Sequence, residues 1–276
     1  MNKFYIVMNT GKDKDFAVSN ELKDYIEKNG CECVLSQKDA SGQIVPGTIP
    51  ETADCVIVLG GDGTMIQTAR ELSDYDFPLL GINMGTLGYL TQIEMHHAKS
   101  ALKHLFSHEP VIEKRMMLKG ILNQEKKSLA LNDVVISREG NLRVIHFDIY
   151  VNGSLLNSYQ ADGVIISTPT GSTGYNLSAG GPIVEPTASM IVLTPICSHA
   201  LNTSSIVLSS EDVIEIEISE GRLGKESAAV SFDGGNSHHL TTGDRVRVQR
   251  AEETTSFVKI SEESFLKTLR RKMKGN

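Results

Sequence analysis

The run Cys55-Val56-Ile57-Val58-Leu59, followed at once by Gly60-Gly61-Asp62-Gly63-Thr64, constrains this chain more than any other stretch. Five consecutive apolar residues leave no polar face. Such a strand is buried on both sides, as in a parallel sheet. A parallel strand needs a crossover, most often a helix, and Met65–Arg70 reads as one. The same grammar recurs across the first third of the chain. Phe4–Met8 is a strand-length apolar run. Val18, Leu22, Tyr25 and Ile26 then repeat at helical spacing from Lys14 onward, and Asn29-Gly30 stops that helix. Cys33–Leu35 and Pro78–Ile82 read as further strands, and 37–53, with two prolines and two glycines, reads as a loop. The expectation is a doubly wound α/β domain over residues 1–110.

From about Met116 the pattern changes. Short β-branched runs at Asp133–Ile136, Ile145–Val151, Val164–Ser167, Ile191–Thr194, Val213–Ile218 and Arg245–Val248 are separated by turn signals such as Asn152-Gly153 and Gly234-Gly235. That spacing predicts a β-rich, mainly antiparallel domain over 111–255. Glu262–Lys274 returns to a helical pattern.

Composition narrows the function classes. The 27 basic residues are outnumbered by 34 acids, for a net charge of −7, so no nucleic-acid partner is expected. No apolar run approaches the roughly 18 residues of a membrane helix. The opening Met1–Ile6 goes straight into a strand without a secretory leader's apolar core, so the expected location is cytoplasmic. Cys31, Cys33, Cys55 and Cys197 are read as reduced core residues.

Three segments carry chemistry. In the first, glycines at 60, 61 and 63 bring bare N–H groups to the start of a helix, which favours an anion. Thr64 with Gln67 three residues on fits a capping box, with Thr64 as N-cap. Asp62 repels phosphate, so a different role is expected of it. It accepts a substrate hydroxyl, helps to hold a metal, or satisfies local backbone. The second is Gly81–Leu90, another glycine turn after a strand, so both turns fall on one sheet edge. The third is Asp162-Gly163-Val164-Ile165-Ile166-Ser167-Thr168-Pro169-Thr170-Gly171-Ser172-Thr173-Gly174-Tyr175-Asn176-Leu177-Ser178-Ala179-Gly180-Gly181-Pro182. A strand leads into a hydroxyl- and glycine-rich loop suited to a polyhydroxylated ligand such as a nucleotide.

Together, GGDGT at 60–64, Asn132-Asp133, the block at 162–182, the turn at 81–91 and Arg115-Met116-Met117-Leu118 resemble the NAD kinases. GGDGT alone is shared with diacylglycerol and sphingosine kinases; the long block is specific to NAD kinases. The resemblance spans about residues 4–250. It implies an α/β N-terminal domain, a β-rich NAD-binding C-terminal domain and a tail, about 256–276, that packs back onto the first. It implies transfer of the γ-phosphoryl group of ATP, or of polyphosphate, to the 2′-hydroxyl of the adenosine ribose of NAD. Mg²⁺ or another divalent cation is expected with ATP, and the chain is expected to form a homo-oligomer, dimer or tetramer.

Carried over by position, Asp62 is the implied proton acceptor, and Asp62 and Gly63 touch the nucleotide. Asn132 and Asp133 match the NAD-binding pair. Arg143, Gln160, Asp162, Thr173, Gly174, Tyr175, Asn176, Leu177 and Ser178 match further NAD contacts. If all of these meet one dinucleotide, the ligand draws on both halves of the chain. Where many relatives carry Asp-Gly-Gln, this chain has Asp233-Gly234-Gly235-Asn236. His96-His97 and His238-His239 are read as surface pairs diverging along strands, His199 as structural, and the basic residues of 267–274 as a solvated helix end.

Overall fold

In the computed structural model, described over residues 1–85, 88–140, 143–199, 204–222, 224–235, 237–260 and 264–274, the apolar runs of the first third become parallel strands. These are β1 (Lys3–Met8), β2 (Glu32–Leu35), β3 (Cys55–Gly60) and β4 (Leu79–Asn83), with a two-residue β5 (Ile93–Glu94) beside β4. The helices between them are α1 (Ala17–Lys28) and α2 (Asp62–Glu71), and α3 (Ala98–Ser107) follows β5. The strand order is β2-β1-β3-β4. From β1 the chain steps outward one way, and from β3 it steps outward the other way. Right-handed crossovers then put α1 and α2 on opposite faces. Every residue of β3 and β4 is buried, as two covered faces require. The order reverses between β1 and β3, and such a switch point opens a crevice at the strands' carboxyl ends.

The chain divides into two compact units, one of Met1–Lys114 with Thr255–Asn276, the other of Arg115–Thr254. The second unit is a β-sandwich. Its first strands are β6 (Val111–Leu122), which enters from the first unit, β7 (Lys126–Ala130), β8 (Asp133–Arg138), β9 (Ile145–Val151), β10 (Ser154–Ala161) and β11 (Gly163–Ser167). After a four-residue helical turn α4 (Tyr175–Ser178) come β12 (Met190–Ile196), β13 (Ile206–Ser209), β14 (Ile214–Ile218), β15 (Ser227–Phe232), β16 (Ser237–Thr241) and β17 (Arg245–Lys259). One layer is a six-stranded antiparallel sheet of order β13-β12-β11-β8-β15-β16. The facing layer pairs β10-β9-β14-β17. Inward residues of both layers, among them Val134, Ile136, Val164, Ile166, Phe147, Ile149, Ile216 and Val248, form one core. Asn152 and Gly153 both take positive φ (51° and 79°), the hairpin turn that the Asn-Gly pair favours between β9 and β10.

At Thr255 the chain re-enters the first unit. There Phe257 of β17 pairs parallel with Leu79 of β4, and α5 (Phe265–Met273) ends the described chain.

Several expectations are corrected. Cys197 is exposed, at a positive φ of 46°, while Cys31, Cys33 and Cys55 are buried. His96 and His97 lie on a 3₁₀ turn, not a strand, and their rings are 3.9 Å apart. The helix α3 and the strands β6, β7, β10, β13, β15 and β16 go beyond the elements expected from the sequence pattern. Asn236, part of the turn at 81–90 (residues 86–87) and residues 261–263 lie outside the described residues.

Candidate active site

β3 delivers the GGDGT turn to the carboxyl edge of the parallel sheet. Gly60 pairs in register with Asn83 of β4, and Gly61 is the N-cap of α2, in extended backbone. Thr64 is therefore not the cap, because the helix has already begun at Asp62. Thr64 faces back toward β1, where its Oγ1 accepts from Asn9 Nδ2 at 3.2 Å. Gln67 donates its amide to Gly42 O and Glu71 Oε1. The capping box fails because a glycine with an extended backbone starts the helix three residues early.

Asp62 turns toward the second glycine turn. Its Oδ2 accepts Tyr89 N–H at 2.7 Å. Its Oδ1 accepts Leu90 N–H, Thr91 N–H and Thr91 Oγ1–H, each at 3.0 Å. Thr91 is fully buried and also accepts from Asn83 Nδ2 at 3.0 Å. A Cβ on Gly88 would overlap the Asp62 carboxylate, so only glycine permits this approach. The acid that is out of place in a simple phosphate turn thus joins the two turns. A carboxylate offers about four acceptor directions. Three donors bond to Oδ1 and one to Oδ2, so Oδ2 is the less used of the two oxygens.

The connection after β1 adds two residues that no sequence motif marks. Asn9 bonds to Thr64, and the Lys12 side chain reaches over the glycine turns. A methyl on Gly61 would stand 3.8 Å from Lys12 Nζ, and one on Gly85 would stand 3.2 Å from it. The one sequence signal is position: Asn9–Lys12 follow a buried strand, as the two glycine turns do. From the last helix of the same unit, Lys272 Nζ lies 5.8 Å from the Tyr89 ring centre.

The second unit has its own constellation. Asn132 and Asp133 enter β8 opposite the end of β11, Asp133 pairing with Ser167. The hydroxyl-rich loop is bonded to this corner: Thr168 N–H donates to Asn132 O at 2.8 Å, and Thr168 Oγ1 to Leu131 O at 2.6 Å. A Cβ on Gly171 would collide with Asn132 O, and the Asn132 amide Nδ2 is 3.7 Å from the place of a Cβ on Gly174. The structure therefore brings Asn132, Asp133 and the loop through Gly174 together. Within the loop, Asn176 is buried and fully used: Nδ2 donates to Ser172 O and Pro182 O, and Oδ1 accepts from Thr194 Oγ1. Thr173 and Gly174 are half-buried, and Tyr175, Leu177 and Ser178 are exposed.

Asp233 is a positioning residue that the sequence pattern does not reveal. Its carboxylate accepts the N–H groups of Leu131, Asn132 and Asp133 at 2.9, 2.7 and 3.1 Å. Its only sequence signal is its place beside the departure at Gly235-Asn236. Burial first, and the facing Asp233 charge second, push the Asp133 carboxyl from 3.8 up to about 7. A carboxyl near neutrality can hold or release a proton as a ligand arrives.

Both halves of the chain match domain models of one family. Residues 4–110 match the ATP-NAD kinase N-terminal domain and residues 131–260 the ATP-NAD kinase C-terminal domain. The chain belongs to the NAD kinase family. The NAD kinase of Lachnospira eligens is 45% identical over 293 residues, covering 99% of this chain and 100% of that protein. That of Lachnoclostridium phytofermentans is 44% identical, with 99% of each chain covered. Among solved structures, an NAD kinase from Archaeoglobus fulgidus in complex with ATP aligns with a TM-score of 0.79 at 25% identity, over 98% of each chain. Yeast NADH kinase complexed with NADH shares the fold, with a TM-score of 0.83 at 23% identity over 100% of this chain and 88% of that one.

Not every position that resembles an NAD kinase contact joins the Asn132 corner. Asp162 stands at the opposite end of the β8–β11 pair, where its Oδ1 accepts from Arg138 Nε at 2.9 Å. Five residue steps separate Asp133 from Arg138, roughly 17 Å at ~3.4 Å each. Gln160 is exposed on β10, its carbonyl accepting His199 N–H at 2.9 Å. Arg143 is exposed just before β9. The positions implied by the resemblance thus form two groups within the second unit, and Asp62 and Gly63 belong to the first unit.

Proposed function

We propose that this chain transfers the γ-phosphoryl group of ATP to the 2′-hydroxyl of the adenosine ribose of NAD, giving NADP. The observation that carries the reading is the seat of the GGDGT turn at the sheet's switch point, joined through Asp62 to the turn after β4. Backbone N–H groups at a helix start suit phosphates. Asn132 and Asp133 suit vicinal hydroxyls, one as a neutral amide and the other as an acceptor.

Asp62 acts on the ribose hydroxyl through Oδ2, the less used of its two oxygens. An aspartate is a weak base for an alcohol, so its larger contribution is to hold the oxygen in line with the phosphorus. Bound as it is to three backbone N–H groups, it does so with little freedom to move. Mg²⁺, or another divalent cation, supplies charge neutralisation for the transferring phosphate. The donor set fits a cation that arrives on the nucleotide. Among the described residues the one cluster of three metal-type donors is Glu94, His96 and His97, all exposed and none of them in the glycine turns. Mg²⁺ commonly keeps few protein ligands beside substrate phosphates. Polyphosphate as an alternative donor would use the same cradle.

The assembly is a homo-oligomer, dimer or tetramer. Its support is the separation of Asp162, Gln160 and Arg143 from the Asn132 corner, which lets a second copy provide those contacts to NAD held by the first. The compartment is cytoplasmic. No helix among the described residues is long and apolar enough to cross a membrane.

The test is direct. Purified protein incubated with Mg-ATP and NAD is assayed for NADP with an NADP-specific dehydrogenase. NADP formation is expected. Its absence, with ATP or polyphosphate as donor, would rule the reading out.

A further inference from the structure

The crevice above β1 and β3 is overhung by a cation that no glycine pattern announces. Lys12 is exposed and lies in the short connection after β1, at the switch point of the sheet. Its ammonium lies within 3.2 Å of the place a methyl on Gly85 would take and 3.8 Å of the same place on Gly61. One amine therefore overhangs both glycine turns, on the side where their bare backbone is open.

The backbone that carries Lys12 is held from both ends. Asn9 N–H donates to Leu59 O at 2.9 Å, which ties the connection to β3. Asn9 O accepts the N–H groups of Lys12 and Asp13 at 3.0 and 2.9 Å. The Asn9 side chain spans the turn, with Oδ1 accepting Gly11 N–H and Nδ2 donating to Thr64 Oγ1. Downstream, the buried Asp13 carboxylate accepts Val18 and Ser19 N–H, both at 2.9 Å, fixing the start of α1. A lysine on such a base loses less freedom on meeting a ligand than one on a mobile loop.

We propose that Lys12 is the protein's cation for the transferring phosphoryl group of the nucleotide, contacting its non-bridging oxygens across the two glycine turns. The proposal rests on the kinase reading above and names a catalytic residue within it. In the step, the ribose oxygen forms a bond to the γ-phosphorus. The bond from that phosphorus to the β,γ-bridging oxygen breaks, its electron pair leaving on ADP, and the hydroxyl proton passes to Asp62 or to water. Lys12 gains and loses no proton. Negative charge that spreads over the peripheral oxygens meets a point charge with three donors. Asp62 is unsuited to that role, since it is an acceptor and already committed to residues 89–91.

The experiment compares wild type, K12M, K12R and, as a control on an exposed helix end, K28M. K12M is expected to lower kcat/KM for ATP roughly 100-fold, the scale for removing one donor aimed at developing charge, while NAD affinity stays within about threefold. K12R is expected to recover about a tenth or more of wild-type activity, and added methylammonium to raise K12M turnover but not that of wild type. Rescue by a free cation is a response that a merely structural lysine does not give. Melting temperatures of all variants should coincide, because Lys12 is exposed. K12M turnover within about threefold of wild type overturns the proposal. If wild type itself makes no NADP, the kinase reading fails separately, and calorimetric titration with tripolyphosphate still judges Lys12. Affinity lost in K12M then supports the cation site, and equal affinity overturns it.

Discussion

The two carboxylates assigned to the proposed chemistry, Asp62 in the parallel sheet and Asp133 in the sandwich, are treated in opposite ways by their surroundings. Asp62 is rich in donors: three backbone N–H groups and a hydroxyl converge on it. Asp133 is buried opposite a second carboxylate, Asp233, which takes the backbone donors of that corner for itself. One acid is therefore held in place by its donors. The other is kept near the boundary between its protonated and charged forms. A carboxylate's behaviour follows from which groups supply its hydrogen bonds, not from the motif that contains it. A fixed acceptor suits orientation of a reacting hydroxyl, and a titratable one suits adaptable binding of a ribose.

The largest effect is expected of Asp62→Asn. An amide cannot accept in place of Oδ2 and Oδ1 together, so the turn at 88–91 loosens while the substrate hydroxyl loses its acceptor. Turnover is expected to fall by roughly a thousandfold, with NAD affinity within about tenfold. Near-normal NADP formation in steady-state assays would remove Asp62 from the mechanism. Gly88→Ala leaves the acid's chemistry intact but displaces its carboxylate, because the added Cβ would overlap it. Loss of turnover within about tenfold of the Asn variant is expected. Wild-type kinetics in G88A would mean that the observed seat of Asp62 is not the catalytic one.

Asp233→Ala attacks the other member of the pair through its neighbour. Three backbone donors lose their acceptor, at about 1–3 kcal/mol for each that stays buried and unsatisfied. Denaturant unfolding should show a loss of about 3 kcal/mol or more, together with weakened NAD binding. Unchanged stability would show that water replaces the carboxylate without cost.

The pH response of Asp133 is smaller and more specific. Folding raises this carboxyl from 3.8 to about 7, so the folded chain binds more protons than the unfolded one in that interval. Stability contributed by Asp133 is therefore greatest below about pH 4 and is lost as pH rises toward 7. Relative to Asp133→Asn, wild type should lose roughly 4 °C or more in melting temperature between about pH 5 and pH 8. A pH-independent difference would contradict the buried pairing with Asp233. If NAD is bound by the charged form, wild-type affinity should also rise through about pH 7, and this trend should vanish in the Asn variant.

The smallest expected effect is at Gly63, where an added methyl meets nothing within 4 Å. Gly63→Ala should leave the melting temperature unchanged and raise KM for ATP by about tenfold if phosphate approaches that backbone. An unaltered KM would move the nucleotide away from the first turn of α2.

The fold class of each unit and the segments that carry its candidate site are legible in the amino-acid sequence. An apolar run such as Cys55–Leu59 buries equally on both faces whatever its neighbours are, and the Asn-Gly pair at 152–153 sets a hairpin through local backbone sterics alone. Those signals are local, so they are legible. The partners of Lys12, Asp62 and Asp233 arise only in the tertiary structure. Asp62 meets donors 27 to 29 residues away, Asp233 meets donors about 100 residues away, and Lys12 depends on the reach of one strand's exit over the turns of two others. Side-chain hydrogen bonds depend on distances of a few tenths of an ångström. No periodicity in a chain encodes such distances between segments that meet only after folding. The helix start at Gly61 rather than Thr64 is the same point on a smaller scale: the extended glycine begins the helix three residues early, and Thr64 is left to accept from Asn9 at the exit of another strand.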